Sequence, residues 1–133
     1  MAKLTLIRGL PGSGKSTMAR KIAMETGAIH YENDMYLVDS KGNYNWTPDA
    51  AMNGAAWCLS QTCKALSKGD SVVVSNTFTR RVDMLPYLCM AQMGKISVEV
   101  IEATGKYQNI HNVPEETLNA MAKRYEILTS IEV

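Results

Sequence analysis

A glycine-rich segment near the start of the chain has the residue types and spacing needed to hold a phosphate group. Residues 9–16 read GLPGSGKS and fit GxxxxGK[ST] at each fixed position, between an apolar run and a segment of helical pattern. Glycines let successive backbone N–H groups converge on phosphate oxygens, and a helix that follows points its positive dipole end at the same anion. The residues expected to contact the triphosphate are Gly9, Pro11, Gly12, Ser13, Gly14, Lys15, Ser16 and Thr17. A chance match in a glycine-rich turn is the alternative, and the strand–loop–helix context argues against it.

Two side chains of this segment have specific chemical roles. Lys15 is the cation expected to reach the β and γ phosphates, and the Ser16 hydroxyl is the expected ligand for Mg²⁺. ATP is the expected nucleotide, because the NKxD segment with which GTPases read guanine does not occur in the sequence. An AAA-type or motor ATPase would carry an acidic cluster at the end of its third strand, where this chain has Ser75-Asn76-Thr77. Since the usual Walker-B aspartate is missing there, the metal must rely on Ser16, water and a carboxylate from another segment.

Asp34 is the candidate for that carboxylate and for a general base. It follows the predicted second strand, so it should lie at the carboxyl edge of the sheet, where open α/β folds place their sites. A carboxylate there can take the proton of an attacking hydroxyl, as phosphoryl transfer to an alcohol requires. Two alternatives remain open: Asp34 caps a short helix that begins at Met35, or Glu32 is the working acid.

These residues must be positioned by alternating strands and helices. Short apolar or β-branched runs predict strands at residues 4–7, 28–31, 71–75 and 97–101. Residues 131–133 could add a fifth strand. Apolar residues at helical spacing predict helices at 16–25, 49–68, 81–93, where Pro86 must lie in the first turn or kink the helix, and from 114 to about 128. The alternation predicts an α/β fold, a three-layer P-loop NTPase of the kinase type with a parallel sheet of four to five strands.

Composition limits the kind of protein this can be. The 133 residues suffice for one domain, residues 1–133, and are too few for two ordinary ones. The 14 basic and 13 acidic residues leave a formal charge of +1, which gives no global argument for binding polyanions. The 3 cysteines include no CxxC pair, which argues against a disulfide scaffold or a zinc site and predicts buried free thiols. Without a membrane-spanning run or a signal segment, we expect a cytoplasmic protein with no membrane partner.

Together, four segments resemble the polynucleotide-kinase-like group of small P-loop kinases, which includes phage-type polynucleotide 5′-kinases. They are GLPGSGKSTMAR, YENDMY, VVVSNTFTRR and NVPEETLNAMAKRYE. The first segment is shared with many other proteins, whereas the later three are more specific. The segments occur in the expected order and span nearly the whole chain.

This resemblance implies roles for individual residues. In that group the aspartate after the second strand is the general base, which implies Asp34, and the element ending the third strand shapes the acceptor site, which implies Asn76. A lid whose arginines hold the ATP phosphates precedes the VP element, and there this chain has only Lys106 and His111. Leu37 stands where those kinases tend to carry a substrate-binding arginine shortly after the base.

Other cations and two aromatic residues have both a functional and a structural interpretation. Arg80 and Arg81 either compensate for the missing substrate-binding arginine or are exposed residues at the start of a helix. Arg124 either reaches the γ phosphate or is a solvated residue of the last helix. Tyr44 and Trp46, in the long polar loop at residues 38–48, are candidates for stacking on a base or sugar, although packing of Trp46 onto the core is favoured.

The function predicted from these observations is transfer of the γ-phosphoryl group of ATP to a hydroxyl, with Mg²⁺. The expected acceptor is a nucleic-acid 5′-hydroxyl or a nucleotide-like alcohol. Two functions outside the kinase class remain open. One is a regulatory module that holds ATP without turnover, favoured by the missing Walker-B aspartate and lid arginines, and the other is a simple ATP hydrolase.

Overall fold

Strands and helices alternate along the chain in the computed structural model, which describes residues 2–105 and 114–126. The strands are β1 (Lys3–Arg8), β2 (Ile29–Tyr31), β3 (Val72–Asn76) and β4 (Ser97–Glu102). The α-helices are α1 (Lys15–Thr26), α2 (Pro48–Ser67), α3 (Arg81–Met93) and α4 (Glu115–Arg124). A short 3₁₀ turn, Asn33–Leu37, follows β2 directly.

The strands form one parallel sheet in the order β2-β3-β1-β4. β3 lies between β2 and β1, with Val74 paired to Tyr31 on one side and to Leu6 on the other. β4 pairs with the opposite side of β1. Because every strand runs in the same direction, the segments that follow all four strands meet at one edge of the sheet. That edge is where the phosphate loop and Asp34 are brought together.

Helices cover both faces of the sheet, because successive strand residues point to opposite sides. Leu6 and Val74 belong to a core that α2 and α3 complete. Ile7 follows Leu6 in β1, and Val73 precedes Val74 in β3, so both point to the opposite face of the sheet. They belong to a second core, which contains Ala19 of α1. The α/β three-layer arrangement predicted from the sequence is therefore confirmed, with a four-stranded sheet among the described residues.

Local sequence signals account for where the helices begin and end. Thr47 caps α2, since its Oγ1 accepts a hydrogen bond of 3.0 Å from the backbone N–H of Ala50, and Pro48 occupies the first turn. Gly27 ends α1 with a φ of +78°. Pro86 lies in the second turn of α3, inside a helix that runs unbroken from Arg81 to Met93, rather than in the first turn.

Three expectations about the periphery need correction or lie outside the description. Cys58 is buried, and burial raises the pKa of its thiol, but Cys63 and Cys89 are exposed because they lie on the outer faces of α2 and α3. The last helix ends at Arg124, earlier than the predicted limit near residue 128. The fifth strand predicted at 131–133 lies outside the described residues.

Candidate functional site

The loop that follows β1 has the backbone geometry of a phosphate cradle. Gly12 and Gly14 adopt φ values of +82° and +88°, which side chains disfavour. A Cβ at Gly9 would collide with the Ser13 side chain and lie 2.9 Å from the carbonyl oxygen of Ala103. The Ser13 Oγ is buried and has no hydrogen-bond partner among the described residues. A buried hydroxyl without a partner in a loop of this shape fits an anion better than an empty turn.

The start of α1 adds further hydrogen-bond donors to this loop. The helix begins at Lys15, and its first N–H groups have no carbonyl partner within the helix. The positive end of the helix dipole therefore lies beside the loop. Burial lowers the pKa of Lys15, while the charges of Glu32 and Asp34 act in the opposite direction. The Lys15 cation thus lies within the electrostatic field of Glu32 and Asp34, the two candidate carboxylates of the sequence analysis.

Glu32 lies at the centre of a hydrogen-bonded cluster in the site. Its Oε2 accepts hydrogen bonds of 2.7 Å from Ser16 Oγ and from Ser75 Oγ, and lies 3.5 Å from His30 Nε2. His30 Nε2 is itself 2.7 Å from Ser75 Oγ. Burial disfavours ionisation of Glu32, but the hydrogen bonds from His30, Ser75 and Ser16 outweigh it and lower the pKa to about 2. Glu32 is a carboxylate at neutral pH, and it touches the expected metal ligand.

Asp34 lies on the other side of the same cleft, in the 3₁₀ turn. The turn begins at Asn33 and Glu32 occupies the position before it, so Asp34 lies inside the turn and is not its capping residue. Tyr44 Oη donates a hydrogen bond of 3.2 Å to Asp34 Oδ1. Burial, together with the negative charge of Asp34, raises the pKa of Tyr44 to about 12, which keeps the phenol protonated as a donor.

Asn76, predicted to shape the acceptor site, holds this turn in place. Its side-chain Oδ1 accepts a hydrogen bond of 2.8 Å from the backbone N–H of Asn33, next to Asp34. Its Nδ2 faces Cys58 Sγ at 4.0 Å. Asn76 also lines the cleft. It therefore fixes the position of Asp34 relative to the end of β3.

One cleft of about 1040 Å³ connects these groups. The phosphate loop, Lys15, Glu32, Asp34 and Asn76 line it, and so do side chains of the long loop and of α4. The contributions from the long loop and α4 are Tyr44, Trp46, Pro114, Thr117 and Met121. The cleft extends beyond the space needed to hold the phosphates alone.

Trp46 is 57% exposed, so the expectation that it packs onto the core is wrong. The tryptophan that does pack inward is Trp57 of α2, which meets the ring of Tyr31 edge to face at 5.8 Å and also contacts Tyr36. Because Trp57 already covers Tyr31, Trp46 stays in the long loop and lines the cleft. Tyr44 lines the cleft as well, and its bond to Asp34 places it beside the candidate base.

The candidate cations lie elsewhere. Arg80 and Arg81 are exposed at the start of α3 and do not line the described part of the cleft. Arg124 is exposed too, and its Nε donates a hydrogen bond of 3.2 Å to Thr79 Oγ1. Lys106 and His111 lie outside the described residues.

Arg8 was missed as a structural residue, although a cation at the end of the apolar strand LTLIR is an unusual signal. Its side chain is fully buried. The guanidinium donates hydrogen bonds to the carbonyl oxygens of Phe78, Thr79 and Glu126, and lies 3.9 Å from the centre of the Tyr125 ring. Arg8 thereby fastens the end of α4 to the segment that follows β3.

A divalent metal at this site would depend on few protein ligands. The described residues, 2–105 and 114–126, contain no group of three or more His, Cys, Asp or Glu side chains able to hold a metal ion. Mg²⁺ in phosphoryl-transfer sites is typically held by one or two carboxylates, a hydroxyl, water and substrate phosphates. The pair of Ser16 and Glu32 fits that donor set. Among the described helices, none is long and apolar enough to cross a membrane.

The family of the chain follows from a match over most of its length. Residues 4–128 match the model of a family described as an AAA domain. The chain belongs to this family. It is a P-loop kinase-like domain, and the predicted resemblance to the polynucleotide-kinase-like group is confirmed. The family description contains the term AAA although the segment Ser75-Asn76-Thr77 lacks the acidic cluster expected of an AAA-type ATPase.

Two curated relatives belong to much longer proteins. NEDD4-binding protein 2 of Homo sapiens is 28% identical over 98% of this chain and 8% of its own length. A putative bifunctional polynucleotide phosphatase/kinase of Acanthamoeba polyphaga mimivirus is 26% identical over 91% of this chain and 22% of its own length. The chain thus spans less than a quarter of either relative.

Solved structures show the same fold. A gluconokinase from Sinorhizobium meliloti 1021 superimposes with a TM-score of 0.63 at 18% identity, covering 96% of this chain and 77% of that one. At this identity the likeness concerns the fold alone. It agrees with the α/β fold described above.

Proposed function

We propose that this domain transfers the γ-phosphoryl group of ATP to a hydroxyl acceptor, with Mg²⁺. The observation that carries the proposal is the presence of a phosphate loop and a second, separately held carboxylate, Asp34, in one cleft. A domain that only stored ATP would need the loop but not a carboxylate held beside an open acceptor space. The shared sheet and its two cores support a single domain, and three free cysteines are compatible with a cytoplasmic location.

The chain's own residues account for nucleotide binding. The loop N–H groups and the α1 dipole hold the phosphates, Ser13 Oγ gains the partner it lacks, and Lys15 neutralises the β and γ oxygens. Ser16 and Glu32 are the residues that would hold Mg²⁺. Mg²⁺ held there would neutralise negative charge that develops on the phosphates during transfer.

Asp34 supplies the acid–base chemistry. The acceptor oxygen forms a bond to the γ phosphorus as the bond from that phosphorus to the β–γ bridging oxygen breaks, and ADP leaves with the electron pair. The acceptor's proton passes to the Asp34 carboxylate. Tyr44 holds one oxygen of that carboxylate through its 3.2 Å hydrogen bond. Asn76 fixes the turn that carries it.

For the acceptor, we favour a nucleic-acid 5′-hydroxyl or a nucleotide-like alcohol. Trp46 and Tyr44 line the cleft near Asp34, and aromatic side chains on an open surface are suited to stacking on a base. The mimivirus relative is named as a putative polynucleotide phosphatase/kinase, which supports a nucleic-acid acceptor. A small alcohol is the competing acceptor, since the same fold occurs in a gluconokinase.

The test is an acceptor screen with γ-labelled ATP over 5′-hydroxyl DNA and RNA, nucleosides and small alcohols. We expect a labelled acceptor, and Asp34→Asn to lower the transfer rate by roughly 10² to 10⁴ with ATP affinity unchanged, since a general base contributes about that much. Asp70→Asn, an exposed acid at the opposite edge of the sheet, is the matched control and should have no effect.

Phosphate release without a labelled acceptor would indicate an ATP hydrolase. ATP binding with neither product would indicate a regulatory module. Either result would overturn the proposal.

A further inference from the structure

The carboxylate that bonds the expected metal ligand follows β2, whereas the Walker-B aspartate of P-loop GTPases and ATPases follows another strand. Those proteins hold Mg²⁺ with the P-loop hydroxyl and a Walker-B aspartate at the end of the strand beside the loop strand. Here that strand is β3, and it ends in Ser75 and Asn76 without an acidic residue. Glu32, which follows β2, accepts hydrogen bonds of 2.7 Å from both Ser16 and Ser75.

Strand register explains how Glu32 reaches this position. Tyr31 pairs with Val74, so the residues that follow them, Glu32 and Ser75, lie side by side on neighbouring parallel strands. Neighbouring strands are about 4.8 Å apart, so a side chain from β2 starts one strand further from the loop than a side chain from β3. Glutamate is one methylene longer than aspartate, and serine at position 75 leaves room for it to pass. The length of Glu32 and the small size of Ser75 together allow this carboxylate to contact Ser16.

We propose that Glu32 is the positioning residue of the magnesium site, an inference that rests on the proposed function. From the end of β2, one strand further from the phosphate loop than β3, it takes the place of the Walker-B aspartate. The carboxylate accepts the Ser16 hydroxyl hydrogen, so the lone pairs of Ser16 Oγ remain available to a cation. It also provides a buried negative charge next to the phosphate loop. Ser75 and His30 hold the same carboxylate oxygen in place.

Asp34 does not serve this purpose equally well. Its Oδ1 is engaged by Tyr44, on the side of the cleft lined by the long loop. Glu32, in contrast, accepts its hydrogen bond directly from Ser16. The two carboxylates therefore divide the work: Glu32 acts through Ser16 on the metal, and Asp34 faces the acceptor.

A purely structural role is the competing explanation. Glu32 could brace β2 against β3 through His30 and Ser75 without any effect on a metal. The two explanations differ in one quantity, the enhancement of ATP affinity by Mg²⁺. A brace would change ATP affinity equally with and without the metal, because it acts on the loop itself. A metal-positioning carboxylate would change the affinity only when Mg²⁺ is present.

The experiment measures ATP affinity by titration calorimetry, with saturating Mg²⁺ and with EDTA, and Mn²⁺ affinity of the protein–ATP complex by electron paramagnetic resonance. Glu32→Gln keeps the shape and removes the charge. We expect the Mg²⁺ enhancement and the Mn²⁺ affinity to fall about 10- to 100-fold, the usual effect of losing a residue that orients a metal ligand. ATP affinity in EDTA should stay the same or improve. Asp34→Asn, from the same cleft, should leave both metal readouts unchanged.

A second variant moves the carboxylate back to β3. Glu32→Ser should lose the Mg²⁺ enhancement, and the double variant Glu32→Ser/Ser75→Asp should regain most of it. This rescue decides the question if Glu32→Gln does not fold. An unchanged Mg²⁺ enhancement in Glu32→Gln, a parallel loss in EDTA, or a folded double variant without rescue would each overturn the inference. Failure of the wild-type protein to bind ATP at all would instead contradict the proposed function.

Discussion

The two ends of the cleft differ in the elements that carry their side chains. At the phosphate end, Ser16, Glu32, Ser75 and His30 form a connected set of short hydrogen bonds beside the phosphate loop. At the acceptor end, Tyr44 donates a hydrogen bond of 3.2 Å to Asp34, and Trp46 is largely exposed. The phosphate end is built on β1, β2, β3 and α1, whereas the acceptor end uses the long loop and α4.

This difference matches what each end has to recognise. A triphosphate and its metal are the same in every kinase, so a fixed arrangement of backbone donors and buried charge suits them. An acceptor differs from one kinase to another, and loops can change without disturbing the sheet. We therefore expect substitutions at the phosphate end to affect every reaction of the protein, and substitutions at the acceptor end to affect only some acceptors.

The largest effect on nucleotide binding should come from Lys15→Ala. Lys15 is partly buried and is expected to contact the β and γ phosphates, so its loss removes a charge-assisted contact worth about 1.5–3 kcal/mol, or roughly 10- to 150-fold in ATP affinity. Titration calorimetry measures this directly, and a thermal melt shows whether the fold is retained. Lys68→Ala, at the exposed end of α2, is the control. Unchanged ATP affinity in Lys15→Ala would refute the assignment of the phosphate loop.

Trp46→Ala should have an intermediate effect that is confined to the acceptor. Stacking of a base on an aromatic ring contributes about 1–3 kcal/mol, so binding of a short 5′-hydroxyl oligonucleotide should weaken about 5- to 150-fold while ATP affinity stays the same. Met52→Ala, an exposed apolar side chain of α2 outside the cleft lining, is the control. Equal losses for ATP and oligonucleotide would show that the two ends are not independent.

The smallest effect should come from Arg80→Ala and Arg81→Ala. Both residues lie outside the described lining of the cleft, and the chain has a formal charge of only +1, so few phosphates can be neutralised. Oligonucleotide affinity should fall only gently as salt rises, and each variant should change the slope by less than about 0.7, the contribution of one phosphate contact on a single strand. A change of about 0.7 or more in the slope for either variant would show that the oligonucleotide binds near the start of α3. Salt-independent binding, or no binding at low salt while a small alcohol is phosphorylated, would leave a small-molecule kinase.

Much of the fold could be predicted because its signals are local. The spacing GLPGSGKS, the glycine that ends α1 and the apolar runs of β1 and β3 each depend on a few neighbouring residues. Boundaries of the described elements accordingly fall within about two residues of prediction, apart from the end of α4. Asp34 was placed at the carboxyl edge for the same reason, since it directly follows a strand.

Contacts between segments that are far apart in the chain could not be predicted from the sequence. Trp46 and Trp57 are both plausible core residues, and only the packing of Trp57 against Tyr31 decides which ring stays at the surface. Arg8 looks misplaced at the end of a buried strand until the carbonyl groups of Phe78 and Glu126 close around it. Each outcome depends on elements that are many residues apart.

The role of Glu32 shows where the two kinds of information divide. The sequence alone determined that a phosphate loop precedes α1, that the acid expected after β3 is absent, and that Glu32 and Asp34 follow β2. Only the tertiary structure decided that Glu32 meets Ser16 and Ser75, because that contact requires β3 to lie between β2 and β1 in one particular register. Residue types and local spacing are encoded along the chain, whereas strand order and register arise from burying both faces of the sheet at once.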